Sequence, residues 1–336
     1  MTRSSRAIAL FLALSLLAVA FLVVGCSKNG GSETRPAEDP AQKPAALKIG
    51  TLPTEDSLPL WVAEQRGYFA TQGLTEFEIV SFQSAQERDA AFASGAIDGY
   101  MGDIIAAANL EAGGKPNTIA TVMLGADQSQ GRFGIVAAPQ SGIKTLAELA
   151  NVPVGTSSAT IQEYVLDGLM AESNVPSASV KVEEVKKVPV RFELLMANKL
   201  KAAALPEPFL TLAEQGGAVL VSSDTSATAN LSQTVLVFSD TYLEKPGGNE
   251  AKGAVLKAWD IAVNDINKDK QASLPLLVEK ARLPESLKAT YKINTYPTAQ
   301  VPTKAQVDAV LTWMRGKGYL KGDVTFDDLV VDAPTQ

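Results

Sequence analysis

Residues 47–82, "LKIGTLPTEDSLPLWVAEQRGYFATQGLTEFEIVSF", decide the fold. "LKIGTL" and "FEIVSF" are short apolar runs with the look of strands, and "LPLWVAEQRGYFATQG" between them spaces its apolar residues as a helix does. A strand, a helix and a strand in that order form a right-handed crossover, which lays the two strands parallel in one sheet. The alternation continues outward. "SAQERDAAFASG" reads as the next helix, with Ser84 and Glu87 as a capping box and Gly95 as its stop, and "AIDGYM" and "TIATVML" read as further strands.

A second set of the same units follows. Its strands are "FGIVAA", "VPVGTS", "VKVEEV", "KAAAL" and "AVLVSS"; its helices lie near 160–173, 191–198 and 208–216, and Thr145 with Glu148 opens a further one at "LAELA". After the strand "TVLVFS" the chain turns helical at 249–268, 273–282 and 303–316. The expectation is an α/β protein of two lobes, each a mainly parallel sheet flanked by helices. Lobe 1 takes 47–130 and 236–336, lobe 2 takes 131–235, and the last helices pack back on lobe 1.

The N-terminus reads differently. Arg3 and Arg6 precede an unbroken apolar stretch from Ala7 to Val24, and "VVGC" ends in Cys26, the one cysteine of the chain. That pattern is an export signal over 1–25. The cysteine after small Gly25 resembles a bacterial lipobox, with valine rather than leucine at position 23, which implies a lipid on Cys26 and a tether to the membrane. The polar, Gly- and Pro-rich stretch over 26–46 is then a flexible linker. With Arg3 and Arg6 removed, 28 basic residues face 37 acidic ones, a net charge of −9. Such a surface argues against nucleic acid as a partner.

The chain has no histidine at all. This excludes Ser-His and Cys-His nucleophile systems and His-based zinc sites, and the single cysteine excludes a disulfide framework. "GGKPN" at 113 lacks phosphate-loop spacing and reads as a turn. No cofactor, metal or catalytic residue is expected, and an enzyme here would have to work with carboxylates, lysine or a Ser-Lys pair.

Five segments carry a resemblance. "LPLWVAEQRGYFATQGL", "AFASGAIDGYMGD", "TLAELANVPVGTSSATIQEYVLDGL", "LMANKLKAAALPEPF" and "VDAVLTWMRGKGYL" fall in the order seen in substrate-binding proteins of ABC importers for nitrate, sulfonates, taurine and thiamine precursors. The resemblance spans about 47–322. It implies a type II periplasmic-binding-protein-like fold, a monomer outside the cytoplasmic membrane, a small-molecule solute held between two closing lobes, and delivery to a permease driven by an ATPase. A ligand sensor for a membrane receptor would share that fold.

In open α/β sheets ligands sit beyond the carboxyl ends of the strands, where helices begin. Four such junctions are legible: "LPTEDSLP" with Thr54, Glu55, Asp56 and Ser57; "MGDII" with Gly102 and Asp103; "GTSSATIQE" with Ser157, Ser158 and Thr160; and "LPEPF" with Glu207. Each also has a purely structural account, since Asp56 or Ser57, Asp103 and Thr160 are ordinary N-caps. Carboxylates stand at three junctions and only hydroxyl donors at the fourth, with Arg191 able to reach the same part of the cleft or to sit on a solvated helix start. This distribution leans toward a small nitrogen-bearing organic solute, such as an aminosulfonate or a pyrimidine precursor, over a bare nitrate or sulfonate oxyanion.

Overall fold

The computed structural model describes residues 42–331. The export signal and Cys26 lie outside the described residues. Ten strands form, at β1 Leu47–Thr51, β2 Phe77–Ser81, β3 Gly99–Asp103, β4 Asn117–Leu124, β5 Phe133–Ala137, β6 Pro153–Thr156, β7 Lys181–Glu184, β8 Ala202–Pro206, β9 Val219–Ser223 and β10 Thr234–Ser239. They make two five-stranded sheets, ordered β2-β1-β3-β10-β4 and β7-β6-β8-β5-β9. In each sheet the first three strands pair in parallel and the next pairs antiparallel to both its neighbours. The reversed strand is in both cases the one reached directly from the other sheet: β5 follows β4, and β10 follows β9. Because Thr234 and Val235 already pair with Asp103 and Gly102, the return to the first sheet falls two residues before position 236.

The helices are α1 Leu58–Gln65, α2 Tyr68–Thr71, α3 Ala85–Ala93, α4 Ile104–Ala112, α5 Ile161–Glu172, α6 Val188–Met196, α7 Phe209–Gln215, α8 Asp240–Leu243, α9 Gly248–Lys268, α10 Lys270–Lys280, α11 Lys304–Lys317 and α12 Phe326–Leu329. Three expectations change. "LPLWVAEQRGYFATQG" is two helices, because Gly67 breaks it in the left-handed region. "LAELA" is only a single 3-10 turn, since Asn151 turns left-handed at once and Pro153 opens β6. The linker also ends sooner than 46: Ala45 N donates to Gly247 O at 2.9 Å and its carbonyl accepts from the Tyr242 hydroxyl at 3.1 Å.

Alternation along the strands feeds two apolar clusters, one on each face of the paired sheets. In β10, Leu236 and Phe238 join one and Val235 and Val237 the other; in β8, Ala203 and Leu205 divide likewise from Ala202 and Ala204. The long helix α9 buries Ala251, Ala254, Val255, Ala258, Trp259, Ala262, Val263 and Ile266, the i, i+3, i+4 stripe of a helix laid on a core, and packs on α1, α2, α10 and β4.

The two chain crossings between the sheets run side by side. Asn230 Nδ2 donates to Gly125 O at 2.8 Å, and Gly125 sits at φ +81° with Ser232 O only 2.2 Å from where a Cβ would be. Gly125→Ala is therefore expected to cost more than ~1 kcal/mol, from backbone strain added to the clash. A thermal melt that leaves this variant at the wild-type midpoint would show that the crossing is not so constrained.

Candidate functional site

The carboxyl ends of the parallel strands in both sheets face one small cavity of ≈ 40 Å³. Each sheet sends it an arginine. Arg88, on α3 and 1% exposed, donates Nη1 to Met101 O, one residue past the part of β3 that pairs with β1 (2.8 Å), and Nε and Nη2 to the carboxylate of Asp89 (2.9 and 2.6 Å). Its guanidinium also lies 4.9 Å from the Tyr100 ring centroid. Arg191, on α6 and 0% exposed, donates Nη1 to Ala204 O in β8 (2.9 Å) and to Gln162 Oε1, and Nε and Nη2 to Val185 O (3.0 and 2.6 Å). Both stems pass a glycine of the first strand: a Cβ on Gly50 would stand 3.2 Å from Arg88 Cγ, and one on Gly155 would be in ordinary contact with Arg191 Cγ at 3.5 Å.

Arg191 had been placed by sequence at a helix start. Val188 and Pro189 form that start instead, with proline in the first turn, and this moves Arg191 into the buried face of the helix. Burial pulls its guanidinium down to about 9, so it stays charged at neutral pH. Among the described residues no carboxylate forms an ion pair with it, and its hydrogen bonds go to carbonyls and an amide.

Of the residues expected at the site, Thr54, Asp56, Gly102, Asp103, Ser157, Thr160 and Arg191 line the cavity. Four do not. Ser57 Oγ donates to Leu52 O (2.9 Å) and Ser158 Oγ to Glu184 (2.8 Å). Glu55 turns into a pocket formed by Tyr291, Asn294 and Tyr296. Glu207 accepts from Arg132 Nη1 (2.8 Å), from the Thr211 hydroxyl (2.8 Å) and from Thr211 N (3.1 Å), so its carboxylate caps α7 from just outside the helix, and Pro206 rather than Glu207 reaches the cavity. Arg88, Gln162, Lys186 and Thr234 line the cavity without having been foreseen. The one available signal was a shared spacing, because arginine and carbonyl acceptor are 13 residues apart in both lobes.

The hydroxyl-rich junction is not a free donor set. Ser158 N and Oγ bond Glu184, Ala159 N bonds Glu163 (2.7 Å), and Ile161 N at the start of α5 bonds Asp103 Oδ2 from the opposite sheet (3.2 Å). Asp103 also caps its own helix through Ala106 N (2.8 Å), so two helix N-termini offset its charge. Asp56 takes the Thr54 hydroxyl (2.6 Å), and burial raises both aspartates above the usual carboxylate range. Further bonds hold the sheets together across the cleft, from Gln86 Nε2 to Ser157 Oγ (2.7 Å) and from Lys187 to Glu87 (2.9 Å).

Beside this charged cavity lies a wider one of ≈ 650 Å³, with Trp61, Phe192, Phe209 and Leu283 among its walls. The partition between the two is thin. Leu52 and Thr54 face the inner space while Pro53 faces the outer, and Val188 and Pro189 divide in the same way. Among the described residues, no cluster of His, Cys, Asp or Glu could hold a metal ion, and no helix is long and apolar enough to cross a membrane.

Comparison with known proteins places this geometry. The model of the NMT1-like family matches residues 40–274. A stretch of 99 residues is 33% identical to the nitrate/nitrite binding protein NrtA of Nostoc sp. PCC 7120, covering 25% of this chain and only 22% of that protein's length. Among solved structures, the alkanesulfonate-binding protein SsuA from Xanthomonas axonopodis pv. citri bound to MOPS superposes with a TM-score of 0.71 at 19% identity, over 87% of this chain and 100% of that one. The periplasmic nitrate-binding protein NrtA from Synechocystis PCC 6803 does so with a TM-score of 0.70 at 16% identity, over 86% and 85%. At these identities the superpositions establish the two-lobe fold.

Glu55 joins the lobes from behind the cavity, where its amide N donates to Glu207 O at 3.2 Å. Burial raises its carboxyl to about 7, against the bonds from Tyr291 and Asn294, and nearby Glu207 adds to the rise. Between pH 4.5 and 7 the folded protein thus keeps a proton that the unfolded chain has released. Stability falls as pH rises through that window, by about 3 kcal/mol at ~1.4 kcal/mol per unit. Glu55→Gln, whatever its baseline, is expected to flatten the decline in melting temperature between pH 5 and pH 8; an unchanged slope would assign the decline elsewhere.

Proposed function

Because the chain belongs to the NMT1-like family, we propose that it is the extracytoplasmic solute-binding component of an ABC importer, which captures a small solute bearing one anionic group and an N–H donor. The observation that carries this reading is the buried charge of Arg191, which has no ion-pair partner among the described residues and feels Glu184 only from beyond ion-pair distance, in the same cavity as Asp56. Burying an unmatched charge is unfavourable, and an anion that enters beside it removes the penalty. Asp56, on the opposite lobe, is an acceptor for an amine or amide N–H. An aminosulfonate combines the two groups. The sulfonate and nitrate binders among its structural relatives support an oxyanion at this position.

Binding draws the lobes together, since only the closed cleft brings Asp56 and Arg191 to one solute. The closed protein then presents the solute to a permease. The body of a larger organic solute would extend past Pro53 and Pro189 into the aromatic-walled cavity. A second reading, a bare oxyanion such as nitrate, is favoured by the ≈ 40 Å³ of the inner space, room for about three water-sized groups at ~10–15 Å³ each.

Calorimetry of the purified protein with 2-aminoethanesulfonate and with nitrate separates the two. Arg191→Met is expected to weaken whichever binds by about two orders of magnitude, as for removal of one partner from a buried charge pair at ~2–5 kcal/mol, with circular dichroism confirming the fold. Affinity retained in that variant would dismiss Arg191 as the anion-binding group.

The tether is part of the same proposal. It rests on Arg3, Arg6, the apolar stretch Ala7 to Val24 and the lone Cys26. In a bacterial host, Cys26→Ala is expected to abolish incorporation of labelled palmitate and to shift the protein out of the membrane fraction. Label persisting in that variant would exclude Cys26 as the attachment point.

A further inference from the structure

The two lobes repeat one plan of strand, helix, strand, helix and strand: β1 to β3 through α1 and α3, and β6 to β8 through α5 and α6. In both, the later helix sends an arginine across a glycine of the first strand, Gly50 or Gly155, to a carbonyl 13 residues further on, one residue past the point where the third strand stops pairing with the first. The match extends to atoms. Nη1 meets that carbonyl in each lobe, while Nε and Nη2 together meet one further oxygen. Thr51 and Thr156, each following the glycine, both keep a buried hydroxyl with no partner.

The quasi-equivalence fails at one place. The oxygen that takes Nε and Nη2 is a carboxylate in lobe 1, from Asp89, and a neutral carbonyl in lobe 2, from Val185. The residue after the arginine is Asp89 in one lobe and Phe192 in the other. Of two guanidiniums facing the same cavity, one has a carboxylate in direct contact and the other has only Glu184, beyond ion-pair distance.

We propose that Asp89 sets the charge selectivity of the cleft, cancelling Arg88 so that a single unmatched guanidinium remains and an oxyanion of one charge is taken in preference to a dianion. The inference rests on the anion-binding reading above. The other charged groups at the cavity act in the same sense: Asp56 and Asp103 oppose a second negative charge, and Lys186, the remaining cation, is exposed to solvent. Asp89 does not line the cavity and its side chain is 30% exposed, so its charge can be changed without rebuilding the site.

The test is calorimetry of the purified protein at fixed ionic strength, with methanesulfonate and nitrate as monoanions and sulfate as the dianion. The wild type is expected to bind at least one monoanion tenfold or more tighter than sulfate. Asp89→Asn keeps an Oδ1 acceptor for Arg88 and loses the charge; sulfate affinity is expected to rise at least tenfold relative to the monoanion. Phe192→Asp copies the lobe 1 arrangement into lobe 2 and is expected to weaken monoanion binding at least tenfold. Phe192 packs near Phe209, with ring centroids 5.8 Å apart, so Phe192→Asn serves as the uncharged control. An unchanged sulfate-to-monoanion ratio in Asp89→Asn overturns the proposal while leaving the anion reading intact. A wild type that binds neither of these monoanions nor 2-aminoethanesulfonate overturns both.

Discussion

Two buried guanidiniums hold the cleft walls in place, and the rest of the site is arranged around them. Each ties a helix to a strand carbonyl at the cleft, where backbone acceptors lose their ladder partners and must be satisfied in some other way. An arginine does this with a fixed fork of donors but brings a charge into the interior. In lobe 1 the adjacent carboxylate makes the arrangement self-sufficient. In lobe 2 the neutral partners leave Arg191 satisfied as a donor and uncompensated as an ion, a local inconsistency of the sort that proteins retain where they function.

Much of the fold was legible because strands buried on both faces, such as β3, β5 and β8, read as short continuous apolar runs, and the exposed ones, such as β7, were still placed by the alternation of strand and helix. Helix boundaries were less so. The second-lobe helix was read from 191, yet Val188 and Pro189 belong to the first turn of α6, and the shift of three residues puts Arg191, which by sequence either reached the cleft or sat on a solvated helix start, on the buried face. Arg88 was hidden by its company, since "ERD" in a polar helix suggests a solvated face and only the packing of α3 on β1 and β3 buries it. The donors around Ser157 appeared free because their carboxylate partners lie far off in sequence, Glu184 at 26 residues from Ser158 and Asp103 at 58 from Ile161.

"LPEPF" illustrates the limit from the other side. Glutamate is a weak cap at the usual N-cap position, which made Glu207 look like a cleft group. One residue further out, its longer side chain reaches back to Thr211 and to Arg132. A chain without histidine would also be expected to have little titration near neutrality. Buried carboxyls fill that range instead: Glu55 and Asp224 are both raised to about 7 by burial, and both stand where the lobes meet or cross rather than in the cavity.

The paired crossings have a mechanical consequence. Two straps fixed along one edge, bonded to each other at Gly125 and Asn230, act like a door with both hinges on one jamb. Such an arrangement favours a swing of the lobes about that edge over sliding across it. A captured solute then has that swing to arrest, and the work of closing is common to every solute. Stiffening or loosening the straps would strengthen or weaken retention of all cargo alike, whereas changes in the cleft would re-rank one cargo against another. The straps thus bear on every cargo in common, and the cleft alone can favour one cargo over another.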